Sequence, residues 1–407
     1  MNCRHCSAPL EHVFLDLGFA PPSNAYLSAA DLQAPEKYFP LKLFVCGTCW
    51  LVQTEDYSRS DELFTKDYAY FSSVSTTWLE HARSYVEMIT ARLGLGSDSF
   101  VIEVASNDGY LLKNFVANGV PCLGVEPTDS TAAAAEAVGV PVAREFFGQD
   151  FAGKLQKSGK QADLIIGNNV YAHVPDINDF TAGMKTALKP GGTITLEFPH
   201  LMSLMRLNQF DTVYHEHYSY LSLQSVRAVF AKTGLRVCDV EQIPTHGGSL
   251  RVYGCHADDA RIDGAAVARV LAEEISSGLQ DLAVYQRFQR EADKVKNNLL
   301  AFLVEANKAG KTVAAYGAAA KGNTLMNYAG VKPDLVSFVC DAAASKQGKF
   351  MPGSHIPILA PRELRGRRPD YVVILPWNIA DEVVKSNEFV REWGGQFVVA
   401  VPALRIF

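Results

Sequence analysis

The segment 213–220 reads Val-Tyr-His-Glu-His-Tyr-Ser-Tyr and places two histidines, one glutamate and three tyrosines in eight positions. Histidine is the natural base near neutral pH because its ordinary pKa is about 6.5. A glutamate beside it can orient the imidazole or bind a hydroxyl or amine, and a tyrosine hydroxyl can donate to a developing enolate oxygen. The cluster therefore predicts acid–base chemistry in a partly desolvated pocket, with His173 as a further candidate member.

Two other interpretations of this segment stay open. The first is a metal site, although the zinc motif HExxH has its histidines one helical turn apart and His215 and His217 are only two residues apart. Such residues face the same side of a strand and different sides of a helix. The second is a polar surface loop. A second aromatic group, Tyr68-Ala-Tyr70-Phe71, lies far earlier in the chain and predicts a lid over the pocket, with ordinary packing between domains as its alternative.

The first 49 residues contain two Cys-x-x-Cys pairs, Cys3/Cys6 and Cys46/Cys49. Each pair can place two thiolates on one tight turn, and two such turns can share one tetrahedral zinc ion. Four thiolates leave no open coordination position, so the predicted zinc is structural. Unpaired core cysteines do not explain the spacing, and a redox pair is disfavoured because no βαβ pattern surrounds it.

A predicted strand at 100–105 leads into a loop of small residues and then into a helix. Ala105, Asn107 and Gly109 in this loop would let the backbone come close to a ligand at the carboxyl end of the strand. The loop lacks GxGxxG, which disfavours NAD. Glu103 occupies the position where many S-adenosylmethionine (SAM) methyltransferases carry an acidic residue, and Glu126 ends the next strand, where a carboxylate can accept both hydroxyls of a ribose.

Two more residues are candidate cofactor contacts. Asn168 follows the predicted strand 163–167, and Phe147 is a candidate for contact with an adenine ring or, equally, for the core. A generic Rossmann-like fold with another ligand remains the alternative to a SAM fold.

A second strand–loop–helix sequence lies at 314–328 and reads AAYGAAAKGNTLMNY. It is not a P-loop, but N–H groups at a helix start can bind a diphosphate with help from a lysine. Lys321 and Asn323 are the candidate contacts, and a helix-capping turn with a solvated lysine is the alternative. His246, in His-Gly-Gly-Ser, is a candidate for approach to the substrate.

The surrounding elements indicate an α/β protein. A helix is predicted at 76–93, and strands alternate with helices at 100–105, 122–126, 163–167 and 193–198, which favours a parallel sheet covered on both faces. One or two helices are predicted at 265–308, followed by a smaller parallel sheet with strands at 312–316, 335–340, 371–375 and 396–401. Three domains are expected: 1–66 for zinc, 67–256 for the cofactor and 257–407 as a second Rossmann-like unit.

Composition sets further limits. The chain has 407 residues, 48% of them hydrophobic and 20% charged, with a net charge of −6. Such a chain is globular, and bulk attraction to nucleic acid or an anionic membrane is not expected. Neither a run of about 18 apolar residues nor a secretory signal pattern is evident, so a cytoplasmic location is expected.

Several motifs together resemble one known family. They are the two cysteine pairs, LGFAPPSNAYL (17–27), YAYFSSVS (68–75), EVASNDGYLL (103–112), VYHEHYSYLSL (213–223), HGGSLRVY (246–253) and YGAAAKGNTLMNY (316–328). The chain resembles the SAM-dependent sugar C-methyltransferases that act on nucleotide-linked 4-keto deoxysugars. The resemblance covers almost the whole chain and implies a zinc domain, a SAM-methyltransferase core with a doubly wound sheet, and a Rossmann-like C-terminal domain.

The resemblance also implies roles. His217 would remove the C3 proton of a dTDP-linked 4-keto deoxysugar, with Tyr214, Glu216, Tyr68 and His173 as other catalytic residues and Tyr70 near the substrate. A nucleotide-sugar epimerase or dehydrogenase and a zinc-dependent interaction protein are the alternatives. The identity of the sugar, the pathway and the oligomeric state are left open, with a monomer among the options.

Overall fold

A computed structural model describes residues 1–55 and 71–407. The strands follow in chain order: β1 (His12–Ala20), β2 (Phe39–Val45), β3 (Val52–Thr54), β4 (Val101–Val104), β5 (Cys122–Val125), β6 (Val142–Ala143), β7 (Ala162–Asn168), β8 (Leu188–Pro199), β9 (Ser219–Tyr220), β10 (Leu235–Ile243), β11 (Ser249–His256), β12 (Val313–Tyr316), β13 (Val339–Cys340), β14 (Ile358–Leu359), β15 (Tyr371–Ile374), β16 (Gln396–Val399) and β17 (Arg405–Ile406).

The α-helices of the described residues also follow in chain order: α1 (Thr76–Leu93), α2 (Leu112–Ala117), α3 (Asp129–Ala137), α4 (Gln149–Lys157), α5 (Ile177–Ala187), α6 (Leu201–Arg206), α7 (Leu223–Thr233), α8 (Ala265–Ser276), α9 (Leu282–Lys308), α10 (Ala320–Tyr328), α11 (Glu363–Arg367) and α12 (Ala380–Ser386). None of them combines the length and the apolar composition that a membrane span needs.

The N-terminal sheet is antiparallel and has the strand order β1-β2-β3-β9. In β2 the side chains of Leu41, Leu43 and Val45 are buried and alternate with less buried neighbours, which is the pattern of a strand with one covered face. Its last strand, β9, comes from residues 219–220, far along the chain. The N-terminal sheet is therefore completed by the segment that sequence analysis marked for acid–base chemistry.

The central sheet has seven strands in the order β10-β11-β8-β7-β4-β5-β6. Strands β4 to β8 are parallel to one another, and β11 lies antiparallel between β8 and β10. All four residues of β4 are buried, as expected for a strand covered by helices on both faces. The doubly wound sheet predicted from the sequence is confirmed.

The C-terminal sheet has six strands in the order β14-β13-β12-β15-β16-β17, parallel except for β17. The long helix α9 joins this sheet to the N-terminal one. Its residues Tyr285 and Phe288 contact Phe14 of β1, with ring centroids 5.7 Å and 4.9 Å apart. One hydrophobic core therefore contains residues from both ends of the chain.

Most predicted elements are confirmed, and some differ. Helix α1 has the predicted bounds, and Ser75 caps it by accepting a hydrogen bond from the Trp78 amide. The segment 265–308 forms two helices separated by a short connection. The strand predicted at 335–340 is confined to Val339–Cys340, and the hairpin of β10 and β11 was not predicted. The domain limits stay a prediction.

A buried carboxylate joins two helices of the central region. The Glu274 side chain, fully buried on α8, accepts hydrogen bonds from the backbone N–H groups of Leu223 (2.6 Å) and Gln224 (3.0 Å) at the start of α7. The His200 Nε2 atom lies 2.8 Å from the same carboxylate. The negative charge therefore compensates N–H groups that have no partner within their own helix.

Replacing Glu274 tests this contribution. Glu274→Ala should lower the free energy of unfolding by roughly 2–4 kcal/mol, because buried donors lose a charged acceptor. Glu273→Gln, on the same helix but near the surface, should change it by less than about 0.5 kcal/mol. Calorimetric melting curves of both variants provide the measurement, and equal melting temperatures would contradict this role for Glu274.

Candidate active site and metal centre

Residues 213–220 form hydrogen bonds with the N-terminal sheet, with the turn at Tyr171–His173 of the central region and with helix α10. β9 pairs with β3, where Tyr220 lies opposite Val52. The Tyr218 amide donates to the Ala172 carbonyl of the central region at 2.8 Å. On the third side, the Thr324 hydroxyl of α10 donates to the Val213 carbonyl at 2.7 Å. The segment therefore lies where the three units meet.

His217 is buried in this segment, and its protonation pattern follows from one hydrogen bond. Its Nδ1 atom lies 3.2 Å from the carbonyl oxygen of Thr212, which can only accept. Nδ1 therefore carries the hydrogen, and the lone pair is on Nε2. Burial lowers the pKa of His217 well below its usual value, and the charges of His173 and Lys321 contribute in the same direction. The imidazole is thus neutral at neutral pH.

Two other predicted residues surround this imidazole. The ring of Tyr214 lies 4.0 Å and that of His173 4.5 Å from the ring of His217, measured between centroids. His173 Nδ1 donates to the Glu216 carbonyl oxygen at 2.9 Å, and burial lowers the pKa of His173 to about 4. The structure therefore brings three of the predicted catalytic residues together, with both imidazoles neutral.

Glu216 is buried, with 3% of the residue exposed. Its two oxygens lie 3.0 Å and 2.8 Å from the Asn24 side-chain nitrogen, which donates to them. Burial raises the pKa of Glu216 to about 7, and the Asn24 hydrogen bond opposes that rise. Sequence analysis missed Asn24, although it lies inside the motif LGFAPPSNAYL.

The geometry does not favour the metal alternative for this segment. His215 Nε2 lies 3.3 Å from the Phe39 carbonyl of the N-terminal sheet, whereas His217 is directed to Thr212. Within residues 1–55 and 71–407, the grouping of metal-ligating side chains that emerges is the cysteine quartet alone. The predicted catalytic and substrate residues Tyr68 and Tyr70 lie outside the described residues.

The loop after β4 has an unusual backbone. Ala105, Asn107 and Gly109 all have left-handed conformations, with φ values of 56°, 51° and 75°. A residue without a bulky side chain adopts this region at least cost, which explains the small and flexible residues here. The side chains of Asn107 and Asp108 accept hydrogen bonds from the backbone amides of Ser72 and Ser73. The segment leading into α1 is thereby attached to the loop.

Three carboxylates converge at the ends of β4 and β5. Glu126 accepts hydrogen bonds from the amides of Asn107 (3.0 Å) and Thr128 (2.9 Å). Burial raises the pKa of Glu103 well above its usual value, and the charges of Asp108 and Glu126 raise it further. This end of the sheet therefore favours a ligand that is positively charged and rich in hydrogen-bond donors.

Buried polar atoms in the same place lack partners among the described residues. They are Glu103 Oε2, Ser106 Oγ, Asp108 Oδ1 and both polar atoms of the Asn168 side chain. Buried polar groups are rarely left unpaired, so these atoms fit a polar ligand. SAM has an ammonium group, ribose hydroxyls and a sulfonium charge, and the site fits it. Phe147 is half-buried and packs edge-on against Phe180 at 5.3 Å.

The three candidate substrate contacts Lys321, Asn323 and His246 lie in different surroundings. The Lys321 ammonium donates to Asn378 Oδ1 at 2.6 Å, and its charge lowers the pKa values of His217 and His246. Asn323 is fully buried and its Nδ2 donates to the Ser23 carbonyl at 2.7 Å, so it joins α10 to the N-terminal unit. The roles of all three in substrate binding stay predictions.

His246 has a left-handed backbone with φ 54° and packs edge-on against Trp78 of α1, 5.3 Å between ring centroids. Burial lowers its pKa to about 4, and the nearby Lys321 charge contributes. His246 therefore lies between the central region and the lysine of α10.

The four N-terminal cysteines form a compact cluster in which all sulfur atoms lie within 4.8 Å of one another. Cys3 and Cys49 are 3.6 Å apart, and Cys6 and Cys46 are 3.5 Å apart, measured between sulfurs. A zinc ion with bonds of about 2.3 Å in a tetrahedron needs sulfurs about 3.8 Å apart. The cluster therefore fits zinc.

The backbone of the two cysteine turns is also the same. Ser7 and Trp50, each one residue after the second cysteine of a pair, both have φ 63°. Their amides donate to the carbonyls of Cys3 and Cys46, both at 2.9 Å. Two matching turns that present thiolates to one point are typical of a structural zinc site.

Three family models match successive parts of the chain. A model described as "Putative zinc binding domain" matches residues 3–64, one described as "Methyltransferase domain" matches 78–240, and one described as "C-methyltransferase C-terminal domain" matches 244–402. Together with the four-cysteine cluster and the doubly wound sheet, they define a SAM-dependent C-methyltransferase with a structural zinc.

A curated relative gives the family. The chain is 34% identical over 405 residues to the C-methyltransferase NovU of Streptomyces niveus, covering 100% of this chain and 96% of the relative. The chain belongs to this C-methyltransferase family. The dehydrogenase, epimerase and zinc-dependent interaction protein alternatives are thereby set aside.

Solved structures of low similarity also match part of the chain. One is magnesium protoporphyrin IX methyltransferase from Synechocystis with bound SAM, at 13% identity and TM-score 0.33, covering 44% of this chain and 80% of that one. Another is a SAM-dependent methyltransferase from Anabaena variabilis, at 12% identity and TM-score 0.36, covering 42% and 83%. Similarity at this level carries no argument about function.

Zinc content and its dependence on the cysteines can be measured directly. Metal analysis of the purified protein should find about one zinc per chain, and Cys46→Ser should lose it because three thiolates hold the ion less well. Cys122→Ser, a buried cysteine outside the cluster, should keep it. A folded protein without zinc, or retention of full zinc by Cys46→Ser, would contradict the assignment.

The affinity for SAM tests the predicted role of Glu126. Glu126→Gln should weaken SAM binding about tenfold or more, because a charged acceptor for ribose hydroxyls is lost. Asp129→Asn, an exposed neighbour at the start of α3, should bind SAM normally. Titration calorimetry gives both dissociation constants, and equal values would remove Glu126 from the cofactor site.

Proposed function

We propose that the protein transfers a methyl group from SAM to C3 of a dTDP-linked 4-keto deoxysugar. The observation that carries the proposal is the contact of 3.2 Å between His217 Nδ1 and the Thr212 carbonyl oxygen, which assigns the ring hydrogen to Nδ1 and leaves Nε2 to accept a proton. A hydrogen on the carbon beside a ketone is acidic enough for a positioned base to remove.

His217 would be that base. Its imidazole is already neutral at neutral pH, so no proton has to leave before catalysis. The proton moves from C3 to Nε2, and the imidazolium that forms lies beside the negative charge that develops on the sugar. Burial among Tyr214, Tyr220 and His173 strengthens the attraction between these two charges. SAM, when bound, supplies the electrophilic methyl carbon.

The oxygen at C4 needs a hydrogen-bond donor as it becomes an enolate. His173 is a poor candidate when neutral, because its only ring hydrogen is used by the Glu216 carbonyl. The Tyr214 hydroxyl is the better candidate, since its ring lies 4.0 Å from that of His217. Glu216 is suited to hold a sugar hydroxyl near the base.

Features of the C-terminal unit are the argument for the nucleotide part of the proposed substrate. Lys321 lies at the start of α10 and its charge reaches the imidazoles of His217 and His246. A cation and helix N–H groups suit a diphosphate located beside the reacting sugar. The thymidine base and the C3 position rest on the family resemblance in the sequence.

Incubation with methyl-labelled SAM and a panel of nucleotide ketosugars tests the function. The panel should contain dTDP-, UDP- and GDP-linked 4-keto sugars together with the matching 4-hydroxy sugars. Label should enter only substrates that have the ketone, and product analysis should find it on the adjacent carbon. Methylation of oxygen or nitrogen, or equal labelling of the 4-hydroxy sugars, would overturn the proposal.

Replacing His217 tests the base. His217→Asn should lower turnover about 10²–10⁴-fold while SAM still binds, because only proton removal is lost. Exchange of the C3 hydrogen with D₂O should fall in parallel. His215→Asn, whose imidazole faces the N-terminal sheet, should cause a far smaller loss. Unchanged exchange in His217→Asn would assign the base to another residue.

A further inference from the structure

The N-terminal unit contributes a side chain to the active site as well as a zinc centre. Asn24 lies in the connection between β1 and β2, and its amide nitrogen is within 3.0 Å of both oxygens of Glu216. Glu216 is buried, whereas Asn24 is exposed. The contact therefore joins an exposed residue of the N-terminal unit to a buried carboxylate.

The connection that carries Asn24 is itself held in place by the C-terminal unit. The Ser23 carbonyl accepts a hydrogen bond from Asn323 at 2.7 Å, and the Tyr26 hydroxyl donates to the Ala318 carbonyl at 2.5 Å. Leu27 exchanges backbone hydrogen bonds with Phe350 at 3.0 Å and 2.8 Å. Asn24 is therefore flanked on both sides by residues that are held in place, and all four of these hydrogen bonds come from the C-terminal third of the chain.

We propose that Asn24 is a positioning residue that orients the Glu216 carboxylate toward the substrate and, by donating to both of its oxygens, favours its charged form. The inference rests on the proposed function in one respect, namely that Glu216 faces the bound sugar. It adds a role for the N-terminal unit in the reaction itself.

The groups around Glu216 are uncharged, which explains why a single hydrogen-bond donor can affect its ionisation. His215 and His217 flank it in the chain, and burial lowers the pKa of both, so both are neutral. His173 contacts its backbone carbonyl and is neutral as well. Among the described residues, the side chain that contacts its carboxylate is the amide of Asn24, and no lysine or arginine contributes to its pKa. The Asn24 amide is thus the recorded donor that favours the charged form.

The direction of the effect follows from this environment. Burial favours the neutral acid and raises the pKa of Glu216 to about 7, while a donor hydrogen-bonded to the carboxylate favours the ion. Loss of the donor should therefore raise the pKa further. A second carboxylate at position 24 should raise it most, because two adjacent acids cannot both ionise easily.

Three variants separate positioning from folding. Asn24→Asp keeps the shape and removes the donor, Asn24→Ala removes the side chain, and Ser28→Ala alters an exposed residue later in the same connection. All three should keep their zinc and their melting temperature. The pH dependence of turnover is measured for each, and the limb caused by Glu216 is identified as the one that disappears in Glu216→Gln.

The limb of the pH profile that Glu216 causes should move to higher pH by about one unit or more in Asn24→Asp. It should move less in Asn24→Ala and not at all in Ser28→Ala. The turnover number should fall more than the affinity for substrate. An unchanged limb in Asn24→Asp would overturn the proposal, as would an equal shift in Ser28→Ala.

A second measurement does not depend on turnover. Infrared difference spectra across neutral pH report the protonated carboxyl of Glu216, assigned by its loss in Glu216→Gln. Its midpoint should rise in Asn24→Asp and Asn24→Ala, and a constant midpoint would overturn the inference. If no ketosugar is methylated by the wild-type protein, the proposed function fails, and the infrared midpoint still decides whether Asn24 controls Glu216.

Discussion

The position of residues 213–220 depends on hydrogen bonds to three separate parts of the chain: a strand, a turn and a helix. β3 pairs with this segment on one side, the Ala172 carbonyl holds Tyr218, and Thr324 holds the Val213 carbonyl. These hydrogen-bond partners come from distant parts of the chain. They fix the position of the buried imidazoles, so the local backbone does not have to do so alone. Preorganisation of this kind would hold the proposed base in position before substrate arrives, so that little reorganisation would remain for the reaction.

Burial then divides the site into two electrostatic regions. Around His217 the ionisable groups are driven toward neutrality: the pKa of Glu216 rises to about 7 and that of His173 falls to about 4. At the ends of β4 and β5, by contrast, carboxylates gather, and Glu126 is held by two backbone amides. The positive charge of SAM suits the second region, and the uncharged ketone of the proposed substrate would suit the first.

The sequence predicted the parts of the molecule that rest on local spacing. The two cysteine pairs, the small-residue loop after β4 and the apolar spacing of α1 each report a local constraint, and the structure contains all three. It could not predict Asn24 as the partner of Glu216, because 192 residues separate them and no local period records the contact. The partners of Lys321 and Asn323 could not be predicted either. Both residues lie in the first turn of α10, yet Lys321 donates to Asn378 and Asn323 donates to Ser23.

The pairing of β9 with β3 also limits how such enzymes can diversify. Consider a chimaeric protein with residues 1–55 from one relative and the remainder from another. Its N-terminal sheet would combine β1 to β3 of one protein with β9 of the other, and these strands would not have evolved together. Mismatched side chains along Val52 and Tyr220 would then displace the neighbouring imidazoles. Such a chimaera should therefore be active only when residues 219–220 come from the same relative as residues 1–55. The two segments are distant in sequence but have to evolve together.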